Sequence, residues 1–279
     1  MIMPFAYVKP GTIQEAIEAL QTDNSWPLAG GTALLVDMRD GVKRPDLLVD
    51  IKGLRELDSF TIDSKKGITI GARTTLNFLV ENKKLRASCP VLAEAALVTA
   101  TFQLRNQATL VGNICKASPA ADMAPSLYIL GAQVVTTGPR GERRIPIADF
   151  MIGPQKNALK KGELVVQVEI PPPPKAKMAF LKKQRIKGHD LSVVNVAGLA
   201  DTESGTLRLC VGACAETPVL LEGTDQLYKK TRDLGKLGEQ IADLALSSIS
   251  PIDDVRASAD YRRDMVRVFV KRIVSRICS

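Results

Sequence analysis

The chain has 279 residues, of which 45% are apolar and 24% are charged, and its formal net charge is +8. This length and composition predict a globular protein of about two domains. No segment approaches the roughly 20 consecutive apolar residues of a membrane span, and the first residues lack the pattern of a secretory signal. Because the five cysteines are scattered and do not form a disulfide framework, we expect a cytoplasmic protein.

The positive charge does not by itself predict a nucleic-acid-binding protein. Basic residues are dispersed along the chain in pairs such as Lys182 and Lys183, and only 4% of the residues are aromatic. Nucleic-acid-binding surfaces combine a dense basic patch with side chains on which bases stack. We therefore expect no nucleic-acid partner.

The N-terminal region, about residues 1–56, predicts a small parallel α/β unit. Residues 12–21 begin with a threonine cap and place apolar side chains at helical spacing. A short strand ends at residues 27–29, a helix follows over 33–40, and 46–51 has the composition of a buried strand. Such strand–helix–strand alternation is typical of parallel strand pairing.

Residues 57–174 predict a mixed α+β unit. The second of its helices is almost entirely apolar, which indicates deep burial. The predicted elements are a strand, two helices, a hairpin and a further strand: 67–71, 76–86, 91–100, 133–137 with 144–147, and 164–170.

Four consecutive prolines, Pro171–Pro174, predict a stiff and extended boundary between domains. We assign residues 175–279 to a C-terminal domain, which becomes helical from about Asp225. Before that point, three segments have the pattern of antiparallel strands: 177–184, 192–201 and 206–215.

The sequence offers few candidate catalytic groups. The motifs GxGxxG, GxxxxGK with Ser or Thr, HExxH, GxSxG and the EF-hand loop are absent. The only histidine, His189, lies in a predicted loop with no obvious nucleophile beside it, and the cysteines lack the clustering of a metal site. We predict no catalytic residue and no metal site, so the pattern favours a bound cofactor.

The segment PLAGGTALLVDMRDG, residues 27–41, places two glycines and a threonine between a strand and a helix. Glycine lets a ligand approach the main chain closely, and free N–H groups before a helix attract anions. Thr32 adds a hydroxyl donor. Taken alone, the same residues equally suit a structural turn.

The segment NQATLVGNICKASPAADMAPSL, residues 106–127, has a related composition. Asn113 follows Gly112 and offers amide donors and an acceptor, while Asp122 can accept hydrogen bonds from ribose or flavin hydroxyls. Asp122 also suits the N-cap of a helix with Pro125 in its first turn. The two roles of Asp122 are compatible.

Together, AGGT before LLVDMR and the pattern TxxGNIxxASPAADxAP resemble the FAD-binding (medium) subunit of the xanthine dehydrogenase and carbon monoxide dehydrogenase family, the molybdenum hydroxylases. The similarity runs from about Pro4 to the C-terminus in the expected order. Further similar segments are PDLLVDIKGLREL, IADFMIGPQKNALKKGELVVQVEIP, FLKKQRIKGHDLSVVNVAG and DVRASADYRRDMVRVFVKR.

The resemblance implies an α+β architecture. A two-part FAD-binding domain, residues 1–174, would combine the small parallel α/β unit with the mixed α+β unit. The C-terminal domain, 175–279, would contain a three-stranded antiparallel sheet and helices. FAD is expected to be non-covalent, because His189 lies outside the first glycine turn.

The resemblance also implies the residues that contact FAD, with the first glycine turn holding the pyrophosphate. From the residues alone, two members of this set equally read as an ordinary core leucine and a surface lysine, namely Leu164 and Lys182. The implied set is Leu28, Ala29, Gly30, Gly31, Thr32, Ala33, Leu34, Thr99, Ala100, Ala108, Thr109, Gly112, Asn113, Cys115, Lys116, Asp122, Leu164 and Lys182.

Three positions depart from the family pattern. Ala33 stands where an acidic residue is usual, and Val111 stands where the family usually has a first glycine before Gly112. Lys116 replaces a small polar residue or histidine. A cation at this position favours anionic states of the cofactor electrostatically.

The implied function is that of an electron-transfer subunit. Substrate would be oxidised at a molybdopterin centre on a large subunit, and 2Fe–2S clusters on a small subunit would deliver electrons to this FAD. The acceptor would be NAD, oxygen or a quinone, and the assembly a dimer of heterotrimers. The alternatives are a free-standing flavin oxidase or reductase, which needs its own substrate pocket, and a scaffold module without FAD.

Overall fold

The computed structural model describes residues 3–186 and 188–279. Its strands are β1 (Ala6–Val8), β2 (Ser25–Leu28), β3 (Leu47–Asp50), β4 (Phe60–Asp63), β5 (Gly67–Gly71), β6 (Gln133–Gly138), β7 (Gly141–Pro146), β8 (Met151–Gly153), β9 (Lys156–Asn157), β10 (Leu164–Ile170), β11 (Lys177–Lys183), β12 (Val194–Asp201), β13 (Thr206–Gly212) and β14 (Val219–Leu220). Its helices are α1 (Ile13–Ala19), α2 (Leu34–Arg39), α3 (Leu76–Glu81), α4 (Lys83–Ser88), α5 (Pro90–Val98), α6 (Phe102–Arg105), α7 (Leu110–Cys115), α8 (Met123–Ile129), α9 (Ile147–Phe150), α10 (Thr224–Lys230), α11 (Leu234–Ser248) and α12 (Ala259–Cys278).

The first unit is a parallel sheet with the strand order β1-β3-β2, as the alternation of elements predicts. The predicted threonine cap is confirmed, since the Thr12 hydroxyl accepts a hydrogen bond from the Glu15 N–H at 3.1 Å. Strand β1 was not predicted from the sequence, because three residues are too few to show a period. The strands are parallel, so Leu28 and Asp50, which end β2 and β3, lie at the same edge of the sheet.

The second unit contains an antiparallel sheet with the order β4-β5-β10-β6-β7. The predicted strands 67–71 and 164–170 match β5 and β10, and the predicted hairpin corresponds to β6 and β7. The helices α3 to α8 precede β6 along the chain, and all of them except α6 contribute residues to the unit's apolar core. The mixed α+β prediction is confirmed.

Two helix predictions in this unit are wrong in their limits. Residues 76–86 form two helices, because Asn82 has an extended ψ of 105° and its side chain accepts a hydrogen bond from the Leu85 N–H at 2.9 Å. Asparagine competes with helical hydrogen bonds in this way and favours caps. The predicted helix 91–100 ends at Val98, because Ala100 has a φ of +54° that a right-handed helix does not allow.

The C-terminal domain has an antiparallel sheet with the order β11-β12-β13-β14. The three predicted strands are confirmed, although the second begins at Val194 instead of residue 192 and the third ends at Gly212 instead of residue 215. The sequence did not predict the fourth strand, β14, which has two residues. Helix α12 packs on this sheet so closely that a Cβ on Gly198 would lie 2.3 Å from the Ile273 Cγ2.

The C-terminal sheet joins two apolar cores, because alternate strand residues point to opposite faces. Met178 and Phe180 of β11 belong to the core of the second unit, whereas Ala179 belongs to the core shared with α11 and α12. Helices α5 and α8 pack against β11 and β13, respectively. This packing fixes the sheet next to the segments that carry the candidate site.

Among residues 3–186 and 188–279, no helix combines the length and the apolar character that a membrane span requires.

Candidate functional site

The first glycine turn connects β2 to α2 at the carboxyl edge of the parallel sheet. Gly31 has a φ of +67°, in the region that favours glycine, so this residue shapes the turn. Helix α2 begins at Leu34 and ends at Arg39, close to the predicted limits, and Gly41 follows with a φ of +73°. Ligands of open α/β sheets bind at such strand ends.

The turn presents a row of backbone donors. Within residues 3–186 and 188–279, no protein acceptor takes a hydrogen bond from the N–H groups of Gly30 to Leu34. Ala33 occupies the N-cap position of α2, and its methyl group offers no acceptor. Unpaired N–H groups at the start of a helix are typical partners of phosphate oxygens. The turn therefore suits an anionic ligand.

The second segment lies directly against this turn. A Cβ on Gly30 would stand 1.9 Å from the Gln107 carbonyl oxygen and 2.5 Å from its carbon, which is backbone that does not yield easily. Thr109 caps α7, because its hydroxyl accepts a hydrogen bond from the Gly112 N–H at 2.9 Å. The two segments that the sequence singled out thus form the two walls of one cleft.

Asn113 lies on α7 and connects this wall to the residues that follow it. Its side-chain oxygen accepts a weak hydrogen bond from the Met123 N–H at 3.4 Å. Its amide nitrogen has no protein acceptor in the described part of the chain. Asn113 therefore keeps a donor for a ligand.

Asp122 does not cap α8 with its side chain, which corrects one of its two predicted roles. The residue stands at the N-cap position with an α-helical backbone, and its carboxylate turns instead toward the C-terminal domain. Oδ2 lies 2.7 Å from the Lys182 ammonium, while Oδ1 accepts hydrogen bonds from Ser192 at 2.5 Å and Asn195 at 3.0 Å. Proximity to a cation in a buried site makes this pairing stronger than a neutral cap bond.

Lys182 is not a surface lysine. Its side chain is 3% exposed, and its ammonium also donates to the Val98 carbonyl oxygen at 3.1 Å. The ion pair joins β11 of the C-terminal domain to the end of α5 and to the second cleft wall. Two predicted residues that are far apart in sequence are therefore in direct contact.

The sequence models of two protein families together match almost the whole chain. Residues 3–173 match "FAD binding domain in molybdopterin dehydrogenase", and residues 179–277 match "CO dehydrogenase flavoprotein C-terminal domain". The chain belongs to the FAD-binding medium subunits of the molybdenum hydroxylases.

Similar proteins include other medium subunits. The glyceraldehyde dehydrogenase medium chain of Sulfolobus acidocaldarius is 32% identical over 96% of this chain and 96% of its own length. The xanthine dehydrogenase FAD-binding subunit of Escherichia coli is 31% identical, covering 97% of this chain and 94% of that protein. A reconstituted CO dehydrogenase from Oligotropha carboxidovorans contains a chain with 29% identity and a TM-score of 0.94, over 99% of this chain and 98% of that chain.

Several structural features of this medium subunit are compatible with FAD binding. The free N–H groups of Gly30 to Leu34 suit phosphate oxygens, and the contact between Gly30 and Gln107 forms a cleft that a side chain at residue 30 would fill. In the described part of the chain, the buried Asn195 Oδ1 near Asp122 has no hydrogen-bond partner.

Thr99 and Ala100 of the medium subunit form a loop that Arg105 holds. The Arg105 side chain donates to the carbonyl oxygens of Thr99 and Ala100, at 3.1 and 3.0 Å, and to Asn77 at 2.9 Å. These partners are neutral and the residue is buried, so burial lowers the pKa of Arg105. The loop is therefore fixed with the left-handed conformation of Ala100 in place.

Lys116 connects the two cleft walls. Its ammonium forms an ion pair with Asp37 of α2 and donates to the Gln155 side chain at 3.2 Å. Lys43 lies nearby, 3.3 Å from the centre of the Trp26 ring, and burial and the charge of Lys116 lower the pKa of Lys43. A lysine at position 116 thus adds a bridge between α2 and α7.

Three other predicted residues have structural roles next to the cleft or in the apolar core. Leu164 is 4% exposed and belongs to the apolar core. Burial raises the pKa of the Cys115 thiol to about 12, so this thiol acts as an apolar group. The carbonyl oxygen of Ala108 accepts a hydrogen bond from the Leu76 N–H at 2.8 Å, which fixes the second segment against α3.

Sequence reasoning missed Ser192, Asn195, Arg105 and Asp37 of this medium subunit. Ser192 and Asn195 lie in the segment LSVVN, inside one of the family-like segments, which was the available signal. Asp37 lies in the quoted LLVDMR helix, but nothing in the sequence indicates Lys116 as its partner.

Proposed function

We propose that this chain is an electron-transfer subunit that holds FAD non-covalently between the two glycine-containing segments. The observation that carries the proposal is the row of free N–H groups from Gly30 to Leu34 opposite the wall formed by Thr109 and Asn113. Bound FAD would supply the ability to accept electrons singly and release them in pairs. The protein would supply binding, orientation and electrostatics.

The backbone of the first turn and the Thr32 hydroxyl would bind the pyrophosphate. The Asn113 amide would add a donor from the second wall, where it keeps a free nitrogen. Asp122 would be held by Lys182, Ser192 and Asn195, so that its carboxylate has one orientation. The remaining predicted FAD contacts stay part of this proposal.

The proposed partners are a large subunit with molybdopterin and a small subunit with 2Fe–2S clusters, assembled as a dimer of heterotrimers in the cytoplasm. The description of two relatives as medium chains supports a complex of several subunits. NAD, oxygen or a quinone would accept the electrons. The relatives are named for different substrates, so their names do not identify the substrate of the complex that would contain this chain.

We also propose domain boundaries at residues 1–174 and 175–279, with subdomains of about 1–56 and 57–174. The limits of the two family matches, 3–173 and 179–277, support the main boundary.

Co-expression of the chain with and without its partner subunits tests the proposal. We expect the full chain to purify with a flavin absorption spectrum, to release FAD on acid precipitation, and to reduce no acceptor with small substrates unless the partners are present. Colourless protein that does not bind added FAD would contradict the FAD proposal. Flavin that stays with the precipitated polypeptide would contradict non-covalent binding, and turnover without partners would favour the free-standing oxidase.

A further inference from the structure

We propose that Arg262, on helix α12 of the C-terminal domain, is a positioning residue that holds the network of Asp122 and Lys182 in the geometry that binds FAD. The inference rests on the proposed function, in which Asp122 and Lys182 are FAD contacts. Arg262 lies in the first turn of α12 and is 1% exposed. Its hydrogen bonds reach the network by two separate routes.

The first route passes through Val193. Arg262 Nη1 donates a hydrogen bond to the Val193 carbonyl oxygen at 2.6 Å, and the Val193 N–H donates to the Lys183 carbonyl oxygen at 2.8 Å. Val193 directly follows Ser192, whose hydroxyl donates to Asp122 Oδ1 at 2.5 Å. Lys183 directly follows the lysine of the buried ion pair. Arg262 therefore fixes the backbone next to two partners of the carboxylate.

The second route passes through Ala213. Arg262 Nη1 also donates to the Ala213 carbonyl oxygen at 3.0 Å, and the Ala213 N–H donates to the Pro119 carbonyl oxygen at 2.9 Å. Pro119 lies three positions before Asp122 in the second segment. Ala213 has a φ of +65°, a conformation that alanine keeps only where surrounding contacts hold it. Arg262 thus helps to hold a strained residue that binds the segment with the carboxylate.

The end of β13 packs so closely on the network that little movement is available. A Cβ on Gly212, the residue before Ala213, would lie 2.2 Å from the Asn195 Oδ1 and 2.9 Å from the Pro125 Cγ. Asn195 donates to Asp122 at 3.0 Å, and Pro125 belongs to α8. A displacement of the end of β13 would therefore push the Asn195 side chain and α8 apart.

Arginine suits this position because its planar guanidinium donates in several fixed directions at once. Nη1 serves the two carbonyl oxygens, and Nη2 donates to Asp254 Oδ1 at 2.7 Å. Replacing a buried ion pair by apolar side chains is often neutral for stability. What apolar side chains cannot replace is the direction of three hydrogen bonds, which is the property that positions the network.

Arg262→Met removes both backbone contacts, while Asp254 keeps Arg256 as its cation. In metal sites, loss of an outer partner of a ligand weakens binding about 10–100-fold, and we expect the Kd of FAD to rise about tenfold here. The visible absorption and circular dichroism of the bound flavin should change as well, because the charges of Asp122 and Lys182 would lose their single orientation toward the cofactor.

Arg262→Lys is the conservative variant and protects the test against a failure to fold. It keeps a cation for Asp254, but one ammonium does not span the two carbonyl oxygens and the carboxylate together. We expect a smaller rise in the Kd of FAD than for Arg262→Met, and thus a partial rescue.

Val274→Ala is the matched control for lost stability. Val274 is 0% exposed on the same helix, 12 positions after Arg262, which corresponds to about 18 Å along the helix axis. The substitution removes core volume and no hydrogen bond. We expect a lower melting temperature, with the FAD affinity and the flavin spectrum of the wild type when both are measured well below that temperature.

Ser192→Ala tests whether Arg262 acts through the network, because this substitution removes one donor to Asp122. If both residues orient the same carboxylate, Arg262→Lys and Ser192→Ala together should weaken FAD binding by less than the product of their single effects. Val274→Ala combined with Ser192→Ala should give the simple product.

The experiment uses the full chain, with flavin fluorescence for the Kd of FAD and hydrogen exchange for the chain without flavin. We expect Arg262→Lys, but not Val274→Ala, to accelerate exchange selectively at the N–H groups of Val193 and Ala213. Weaker FAD binding with a changed flavin spectrum and the non-multiplicative effect of Ser192→Ala supports the inference.

Wild-type FAD affinity and flavin spectrum in Arg262→Met would overturn the inference, and the same result in Arg262→Lys would do so if the methionine variant does not fold. Multiplicative effects of Arg262→Lys and Ser192→Ala would also overturn it. If the wild type binds no FAD, the proposed function fails. Hydrogen exchange at Val193 and Ala213 then still decides whether Arg262 fixes the network.

Discussion

The ammonium of Lys182 lies 2.7 Å from the carboxylate of Asp122, and these two side chains are 3% and 7% exposed. They come from different domains, and Ser192 and Asn195 satisfy the other oxygen of Asp122. A buried ion pair is maintained only when good geometry and further hydrogen bonds offset desolvation. This network therefore fixes the C-terminal sheet to the second wall of the proposed FAD cleft.

Lys182→Met should strongly destabilise the protein. The substitution leaves the Asp122 carboxylate buried without a cation, which costs about 3–5 kcal/mol in comparable buried pairs. Urea denaturation would measure the free energy of unfolding, and flavin fluorescence would measure a weaker FAD affinity. Lys183→Met is the matched control, because Lys183 is the next residue and lies 6.0 Å from the Tyr261 ring. We expect Lys183→Met to lower the unfolding free energy by about 1 kcal/mol or less. Equal losses of unfolding free energy in the two variants would contradict the role of the Lys182–Asp122 ion pair.

Gly30→Ala should separate the two walls of the cleft. The added Cβ would meet the Gln107 backbone at 1.9 Å, so one of the two segments must move. We expect a loss of about 1–3 kcal/mol in stability, typical of overpacking, together with loss of FAD binding. Thermal unfolding and flavin titration measure both quantities. Gly153→Ala provides the control, since its Cβ would have no heavy atom within 4 Å. Normal FAD binding by Gly30→Ala would contradict the proposed cleft.

The sequence predicted those features that depend on neighbouring residues. The first glycine turn, the Thr12 cap and the strands β5 and β10 all follow from local chemistry, and the structure confirms them. The cleft itself required the resemblance, because 77 positions separate Gly30 from Gln107 in the chain.

The roles that the sequence did not predict depend on distant partners. Lys182 is 60 positions from Asp122, and Ser192 and Asn195 are 70 and 73 positions away. A surface lysine and a buried lysine have the same local pattern, so only the fold distinguishes them. The early end of α5 has the same kind of cause, since Arg105 binds the carbonyl of Ala100 in its left-handed conformation.

Ala33→Ser should stabilise α2. Ala33 occupies the N-cap position without a side-chain acceptor, and a serine hydroxyl there can accept a hydrogen bond from a free N–H of the first turn. The gain should be about 1 kcal/mol, which thermal and urea unfolding would detect. Ala33→Val is the control because it adds volume without an acceptor, and an equal gain from valine would contradict capping.

Lys116 and Asp37 should be energetically coupled, because their ion pair bridges α2 and α7. Both side chains are partly buried, at 24% and 16% exposure, so we expect a coupling free energy of about 1 kcal/mol that decreases with added salt. A double-mutant cycle with Lys116→Met and Asp37→Asn measures this coupling from unfolding free energies. The same variants should release FAD faster in a stopped-flow assay, and additive effects on both quantities would exclude the bridge.

Asp254→Asn should make the stability of the C-terminal domain less dependent on pH. Burial alone would raise the pKa of the Asp254 carboxyl, but hydrogen bonds and charge from Arg256, and then the charge of Arg262, outweigh it and hold this pKa well below its usual range. A carboxyl whose pKa is lowered in the folded state contributes stability in full above the unfolded pKa of about 3.9, and loses it as the pH falls further.

The wild type should therefore exceed Asp254→Asn in unfolding free energy by about 3–5 kcal/mol at pH 5–7, because Arg262 would otherwise stay buried without its carboxylate. The difference should shrink below about pH 4. Urea denaturation at pH 7, 5 and 3.5 measures it. Asp260→Asn is the matched control, since Asp260 is 94% exposed in its pair with Arg263 and such pairs contribute about 0–1 kcal/mol. A difference between wild type and Asp254→Asn that is constant with pH would show that the charge of Asp254 does not stabilise the fold.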